Sequence, residues 1–184
     1  MPTLRVHLGS EAGLLCDYYG CSMRILLVLV ITLLATISRA ELISGRVVQV
    51  ADGDTITVLD AQMRQHKIRL AGIDAPEKAQ AFGRRSQESL AELVANRSVI
   101  VETHKRDRYG RSVGKVLVEG RDINVEQIRR GLAWFYRQYE RELSVRDQQS
   151  YARAEEEARS FRAGLWADKQ PISPWEFRRD HSGK

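Results

Sequence analysis

The stretch that decides the fold is Val50-Ala51-Asp52-Gly53-Asp54-Thr55-Ile56-Thr57-Val58, followed by Lys67-Ile68-Arg69-Leu70-Ala71-Gly72-Ile73-Asp74-Ala75-Pro76-Glu77. Asp-Gly between two alternating apolar runs is a strong short-range hairpin signal. The second run ends in acids beside a proline. A hairpin needs one turn acid, whereas this segment places Asp52, Asp54, Asp74 and Glu77 near strand ends and sets Arg69 among apolar neighbours. That surplus of charge has no structural purpose.

Outward from it, Ile43 to Val50 and Asp54 to Leu59 read as the hairpin, and Gln65 to Ile73 as a third strand. Val48 and Val50, Ile56 and Val58, and Ile68 and Leu70 keep a period of two, which buries one face and leaves Arg69 on the other. Phe82 to Asn96 carries Leu90, Leu93 and Val94 at helical spacing. Ser98 to Glu102 and Ser112 to Val118 are two further strands around the charged turn Lys105 to Arg111. Asn124 stands where an N-cap belongs, three residues before Gln127, and Gly131 marks a stop, so Val125 to Arg130 reads as a second helix. Ser144-Val145-Arg146-Asp147 opens a third, along which Tyr151, Ala154, Ala158, Phe161 and Leu165 recur until Gly164 ends it. The expected class is α+β, mainly β, with five strands and three helices. The tail 171–184, containing Pro171-Ile172-Ser173-Pro174-Trp175-Glu176-Phe177, is expected to be extended and packed through its aromatics.

The chain has 184 residues, 43% hydrophobic and 29% charged, which suits one packed domain and excludes a disordered chain. The domain is expected at 41–170. Ahead of it, Met23-Arg24 precedes an apolar run from Ile25 to Ile37 broken only by Thr32 and Thr36. Such a run falls short of the ~20 residues of a spanning helix. It ends in Ser38-Arg39-Ala40, the small-x-small pattern of a secretory signal, so residues 1–40 read as an extension and signal peptide with translation starting at Met23. Export to the periplasm or medium is the expectation; an uncleaved run would instead anchor the protein to a membrane or form a buried helix of the domain. Both cysteines, Cys16 and Cys21, precede the cleavage site, which leaves the mature chain without disulfide or thiol chemistry. The formal net charge is +5, and Arg predominates over Lys, which suits bidentate phosphate contacts but equally follows from genomic base composition.

Three constellations can carry chemistry. Asp54 and Asp74 lie at the ends of neighbouring strands, and carboxylates brought together repel unless a cation or proton sits between them. A hard divalent ion with oxygen ligands is the usual solution, and calcium fits an open site of two carboxylates, a carbonyl and waters. Two independent turn acids is the other reading of that pair. Arg69 and Arg111 form the second constellation, the other reading being that Arg69 lies over the barrel surface and Arg111 closes a turn; Glu77 on its proline-stiffened loop is the third, or else an idle exposed acid. His66, His104 and His181 are scattered, and there is no zinc spacing, P-loop or nucleophile elbow.

Taken together and in order, Asp52-Gly53-Asp54-Thr55, Arg69 to Glu77, and Asp107-Arg108-Tyr109-Gly110-Arg111 resemble the motifs of the staphylococcal nuclease (thermonuclease) family. Asn124, Gly131-Leu132-Ala133 and Gly164-Leu165-Trp166 extend the resemblance over Ile43 to Trp166. It implies an OB-fold: a five-stranded barrel with a helix after the third strand and two more behind it. The family's calcium ligands fall on Asp54, Asp74 and the backbone carbonyl of Ala75, with Asp52 behind them. The family often has threonine in place of Ala75, a change that keeps the carbonyl and loses the hydroxyl. Arg69 and Arg111 fall on its phosphate-binding and transition-state arginines, Glu77 on the acid invoked as general base, and Arg108 and Tyr109 on positions that touch a terminal phosphate. The loop after Glu77 is shorter than in the staphylococcal enzyme.

The resemblance thus implies an exported, calcium-dependent nuclease cleaving DNA and RNA with little sequence preference, favouring single-stranded or frayed substrate and leaving 3′-phosphates. Nucleic acid is the expected partner, with no stable protein partner and a monomeric state. The alternative is a non-catalytic nucleic-acid-binding module on the same barrel, though a retired site has no reason to keep Asp54, Asp74, Arg69, Glu77 and Arg111 together.

Overall fold

Alternating apolar residues form strands wherever one face can be buried. The computed structural model describes residues 41–181. In chain order these give β1 (Glu41–Val50), β2 (Thr55–Asp60), β3 (Gln65–Leu70), a short β4 (Ile73–Asp74), helix α1 (Gly83–Val94), β5 (Ser98–Arg106) and β6 (Ser112–Val118). A short β7 (Arg121–Asp122), helix α2 (Ile123–Arg129), a short β8 (Trp134–Phe135), helix α3 (Val145–Ser160) and helix α4 (Pro174–His181) follow, with 3-10 segments at Arg137–Glu142, kinked at Tyr139, and at Gly164–Ala167. The apolar run 25–37, the cleavage expected after Ala40, both cysteines and the side chain of His104 lie outside the described residues. No helix among those described is long and apolar enough to cross a membrane.

β1 pairs antiparallel with β2 and β5, β2 with β3, and β5 with β6. β3 then meets β6 in parallel, Ile68 opposite Ser112 and Leu70 opposite Gly114, which closes the five long strands into an OB-like barrel. Register shifts between Val47 and Gln49 in β1 and between Thr103 and Lys105 in β5 bend these strands, as closure of a small barrel requires. Val47, Ile56, Val58, Ile68, Leu70, Val101 and Val116 belong to one buried core with Leu90 and Leu93 of α1, Ile123 and Ile128 of α2 and Tyr151 of α3. Each such side chain contributes about 1.5–3 kcal/mol by leaving water.

Six expectations change. In β1 the register shift turns Val47 inward and Val48 outward, so Val48 does not lie on the buried face. Helix α3 ends at Ser160, with Phe161 exposed and Arg162 in the left-handed region, ahead of Gly164. The third strand ends at Leu70, because the chain turns at Ala71-Gly72 and resumes as β4, which pairs with β8 instead. β5 runs on to Arg106, since β6 offers it partners beyond Glu102. The N-cap of α2 is Asp122, whose carboxylate accepts from the backbone N–H groups of Asn124 and Val125. Asn124 is fully buried and acts as a splice: its Nδ2 donates to the carbonyls of Ala71 (2.9 Å) and Gly114 (3.2 Å), and its Oδ1 accepts from Val116 N (3.1 Å).

The sixth change concerns the tail, which is helical rather than extended, so the described residues hold a fourth helix beside the expected three. Ser173 Oγ and the backbone N–H of Ser173 both donate to Glu176 Oε2 (2.6 and 3.1 Å), and Glu176 N reaches back to Ser173 Oγ (3.4 Å). This is a capping box with proline at the first helical position, where a missing N–H costs nothing.

Candidate active site

The β1–β2 loop, the β3–β4 segment, the β5–β6 turn and α4 line one cleft of about 620 Å³. The β1–β2 loop is fastened from below. Asp52 Oδ1 accepts from Asp54 N (3.1 Å), and the carbonyl of Gly53 accepts from Gln127 Nε2 (2.9 Å). Gln127 is fully buried, and its remaining contacts go to the Ser86 carbonyl (3.1 Å) and the Ser89 hydroxyl (2.7 Å) on α1. Any Cβ at residue 53 would strike the Ser86 hydroxyl and Ala75, so the glycine is required by close packing against α1.

Asp54 and Asp74 are both buried and come together on Arg69. Arg69 Nη1 pairs with Asp54 Oδ1, and Nη2 donates to Asp74 Oδ1 (2.8 Å) and to the Ile73 carbonyl (3.2 Å). The second oxygen of Asp54 accepts from Ala75 N (2.7 Å), and the first accepts the Thr55 hydroxyl proton (3.1 Å). Burial pushes the Arg69 pKa down and Asp74 pushes it back up, with Arg111 adding like-charge repulsion. A guanidinium stays protonated under such opposition, because its ordinary pKa exceeds 12.

Arg111 is held by the turn it stands on. Its Nε donates to Asp107 Oδ2 (2.7 Å), and its Nη1 lies 3.3 Å from the Thr55 hydroxyl, which links it to Asp54. The Arg108 and Arg111 guanidinium carbons lie 4.9 and 5.5 Å from the centroid of the exposed Tyr109 ring. Glu77 is placed by its backbone. Its N–H donates to Gln80 Oε1 (3.1 Å), its carbonyl accepts from Gln80 N (2.8 Å), and α1 begins so close that a Cβ on Gly83 would collide with that carbonyl.

Asp52, Asp54, Arg69, Asp74, Ala75, Glu77, Arg108, Tyr109 and Arg111 therefore all line the one cleft. A residue the sequence reading missed joins them. Arg178 of α4 donates through Nη2 to Asp74 Oδ2 (2.7 Å) and through Nη1 to Glu77 Oε1 (2.8 Å). The capping pattern Ser173-Pro174-Trp175-Glu176 could have revealed its helix, since position and spacing are those of a helix start.

Among the described residues no group of three or more His, Cys, Asp or Glu is arranged around a metal ion. The donors that do converge on Arg69, Asp54 and Asp74, are oxygen-only and buried, with Ala75 beside them; that set suits a hard dication and not zinc or copper.

Residues 67–168 match the family described as staphylococcal nuclease homologue. The chain belongs to the staphylococcal nuclease family. It is 41% identical over 153 residues to an uncharacterized endonuclease of Haemophilus influenzae, spanning 83% of this chain and 82% of that protein. An uncharacterized endonuclease of Escherichia coli O157:H7 is 44% identical over 137 residues, 74% of this chain and 85% of its own. A micrococcal nuclease of Shigella flexneri is 41% identical over 144 residues, 73% and 80% respectively. The span that matches the staphylococcal nuclease family takes in Arg69, Asp74, Glu77 and Arg111 and ends before Arg178.

Proposed function

We propose that this chain is a divalent-metal-dependent phosphodiester hydrolase that cuts DNA and RNA with little sequence preference, favouring single-stranded or frayed substrate and leaving 3′-phosphates. Membership of the staphylococcal nuclease family and the nuclease-named relatives support a nuclease acting on nucleic acid. The observation that carries the reading is Arg69 bridging Asp54 and Asp74 in the cleft that also holds Arg111 and Glu77.

Attack of water on a phosphodiester passes through a five-coordinate phosphorus whose equatorial oxygens gain negative charge, and fixed cations must meet that charge as it grows. Arg111, pinned through Nε to Asp107, lines the cleft, and Arg69, held on Asp54 and Asp74, adds a second fixed positive charge. Asp54, Asp74 and the Ala75 carbonyl would hold the dication, calcium on this reading, which would supply further positive charge at the phosphate and acidify water. Glu77 orients the attacking water and takes its proton. Arg108 and Tyr109 receive the terminal phosphate. The exposed Tyr109 ring at the cleft suits an unpaired base without reading its edge. Export, proposed on the apolar run 25–37 and Ser38-Arg39-Ala40, is checked by N-terminal sequencing of secreted protein.

The test is release of acid-soluble nucleotide from denatured DNA with calcium, then with a chelator, for the protein and its Glu77→Gln and Arg69→Ala variants. Chelation abolishes activity, and each variant loses on the order of 10²-fold or more, the cost of one transition-state donor. Activity that survives the chelator removes the metal. Variants as active as the parent remove the site assignment, and binding without cleavage by the parent leaves only a binding module.

A further inference from the structure

Arg178 and a dication want the same oxygens. Asp74 is only 1% exposed, and its contacts are already filled: Oδ1 by Arg69 Nη2 (2.8 Å) and Arg178 Nη1 (3.2 Å), Oδ2 by Arg178 Nη2 (2.7 Å). The same Arg178 Nη1 holds Glu77 Oε1 at 2.8 Å. An ion that enters at Asp74 meets the Arg178 guanidinium at contact distance and of like charge, so one of the two must leave.

Of the two arginines on Asp74, Arg69 cannot leave cheaply. Its side chain is 16% exposed and is fixed on two carboxylates and a carbonyl. The Arg178 side chain is 43% exposed, is fixed by the two acids, and stands on a helix anchored without it. Trp175 stacks on Tyr136 with centroids 5.3 Å apart and 18° between planes, and meets Trp134 edge-on at 5.5 Å. Gln80, which ties down the Glu77 backbone, also donates to the Ile172 carbonyl (2.7 Å) just ahead of α4. A turn about its own side-chain bonds therefore frees the guanidinium while α4 stays in place. A freed guanidinium in this cleft faces the volume that Arg111 also borders. A planar fork of donors suits phosphate there.

We infer that Arg178 is the exchangeable cation of this site: it pairs with Asp74 and Glu77 until a dication takes Asp74, then leaves both acids and binds a phosphate of the nucleic-acid strand, which makes α4 part of the substrate-binding surface. The inference rests on the proposed function for its ion and its substrate.

The test compares the full chain with Arg178→Ala and Arg178→Lys. Calcium alone is titrated by calorimetry. A cleavage-resistant phosphorothioate oligothymidylate is then bound by fluorescence anisotropy with calcium present, over a series of salt concentrations. Arg178→Ala tightens calcium several-fold, weakens the oligonucleotide by roughly tenfold, and lowers the salt slope by about 0.7, the value for one lost contact to a single strand. Arg178→Lys recovers part of the oligonucleotide affinity, because a point charge still attracts phosphate without the fork. A purely structural role weakens both ligands together, and a simple lock tightens calcium while leaving the oligonucleotide unchanged; either result overturns the inference. Failure of the parent protein to bind calcium and oligonucleotide counts instead against the proposed function.

Discussion

Asp107 accepts the Nε proton of Arg111 at 2.7 Å, while its other oxygen accepts the backbone N–H groups of Tyr109 and Arg111, both at 2.9 Å. One carboxylate thus closes the β5–β6 turn and aims the guanidinium carried by it. Burial raises the Asp107 pKa, but the side-chain and backbone hydrogen bonds from Arg111 and Tyr109 outweigh it and hold the carboxyl below its ordinary value. Asp107→Ala leaves Arg111 charged and present but free to turn. The expected result is a fall in kcat on denatured DNA of about tenfold, smaller than the ~10²-fold of deleting a donor outright. Steady-state kinetics check it, and an unchanged kcat would show that the aim of Arg111 does not limit the reaction.

Arg69 is the counter-charge of two buried acids at once. Removing one partner of a buried pair leaves an uncompensated charge and costs about 3–5 kcal/mol. Arg69→Ala without divalent ion should therefore melt roughly 10 °C lower, at 2–4 °C per kcal/mol for a chain of this size. Calcium restores charge balance between Asp54 and Asp74, so its addition raises the variant's Tm by more than the parent's. Thermal melts with chelator and with calcium measure both shifts, and equal shifts would remove the two acids as the ion's ligands.

Asp60 closes the β2–β3 turn. Its Oδ1 accepts from the backbone N–H groups of Gln62 and Arg64, each at 2.9 Å, and its Oδ2 meets His66 Nε2 and Arg64 Nε, each at 2.8 Å. The His66 hydrogen bond first, then the backbone and side chain of Arg64, hold its pKa well below the ordinary 3.8, against a desolvation that raises it. A folded value below the unfolded one means that the ionised acid stabilises the fold, fully so above pH ~4 and progressively less as pH falls toward the folded value. Asp60→Asn should flatten the acid side of the stability curve while the parent falls steeply below pH ~4. Denaturant midpoints from pH 2 to 7 decide it, and parallel curves would refute the contribution of Asp60.

The barrel and its cleft were legible because their signals are local and regular. Period-two alternation marks β2, β3 and β6, and the acids of the Asp52–Asp54 and Asp74–Glu77 segments exceed what turns need; in β1 the bulge at Val47–Gln49 breaks the period and puts Val47 rather than Val48 inside. The strand ends were less so. Ala71-Gly72 interrupts a run that reads as continuous, because nothing in its own pattern tells of a partner such as β8. Asn124 shows the same limit. It looks like a cap from its neighbours, and its real contacts, Ala71 and Gly114, are distant in sequence. Asp107 was visible as one charge in a charged turn, yet its grip on Arg111 is a matter of side-chain direction. Arg178 was hidden differently: the capping box at Ser173 and Glu176 was readable, but the aromatic content suggested packing of an extended strand, and no sequence pattern ties residue 178 to residue 74.

The parallel contact of β3 with β6 has a temporal consequence. Arg69 and Arg111 stand on opposite sides of that seam, Arg69 paired with Val113 across it and Arg111 just before Ser112. Two segments separated by the whole of α1 and β5 must find each other before the guanidinium groups share a space. A half-unfolded polypeptide accordingly carries every acid and every arginine of the site and still has no site, and the ability to cut requires that this seam be closed.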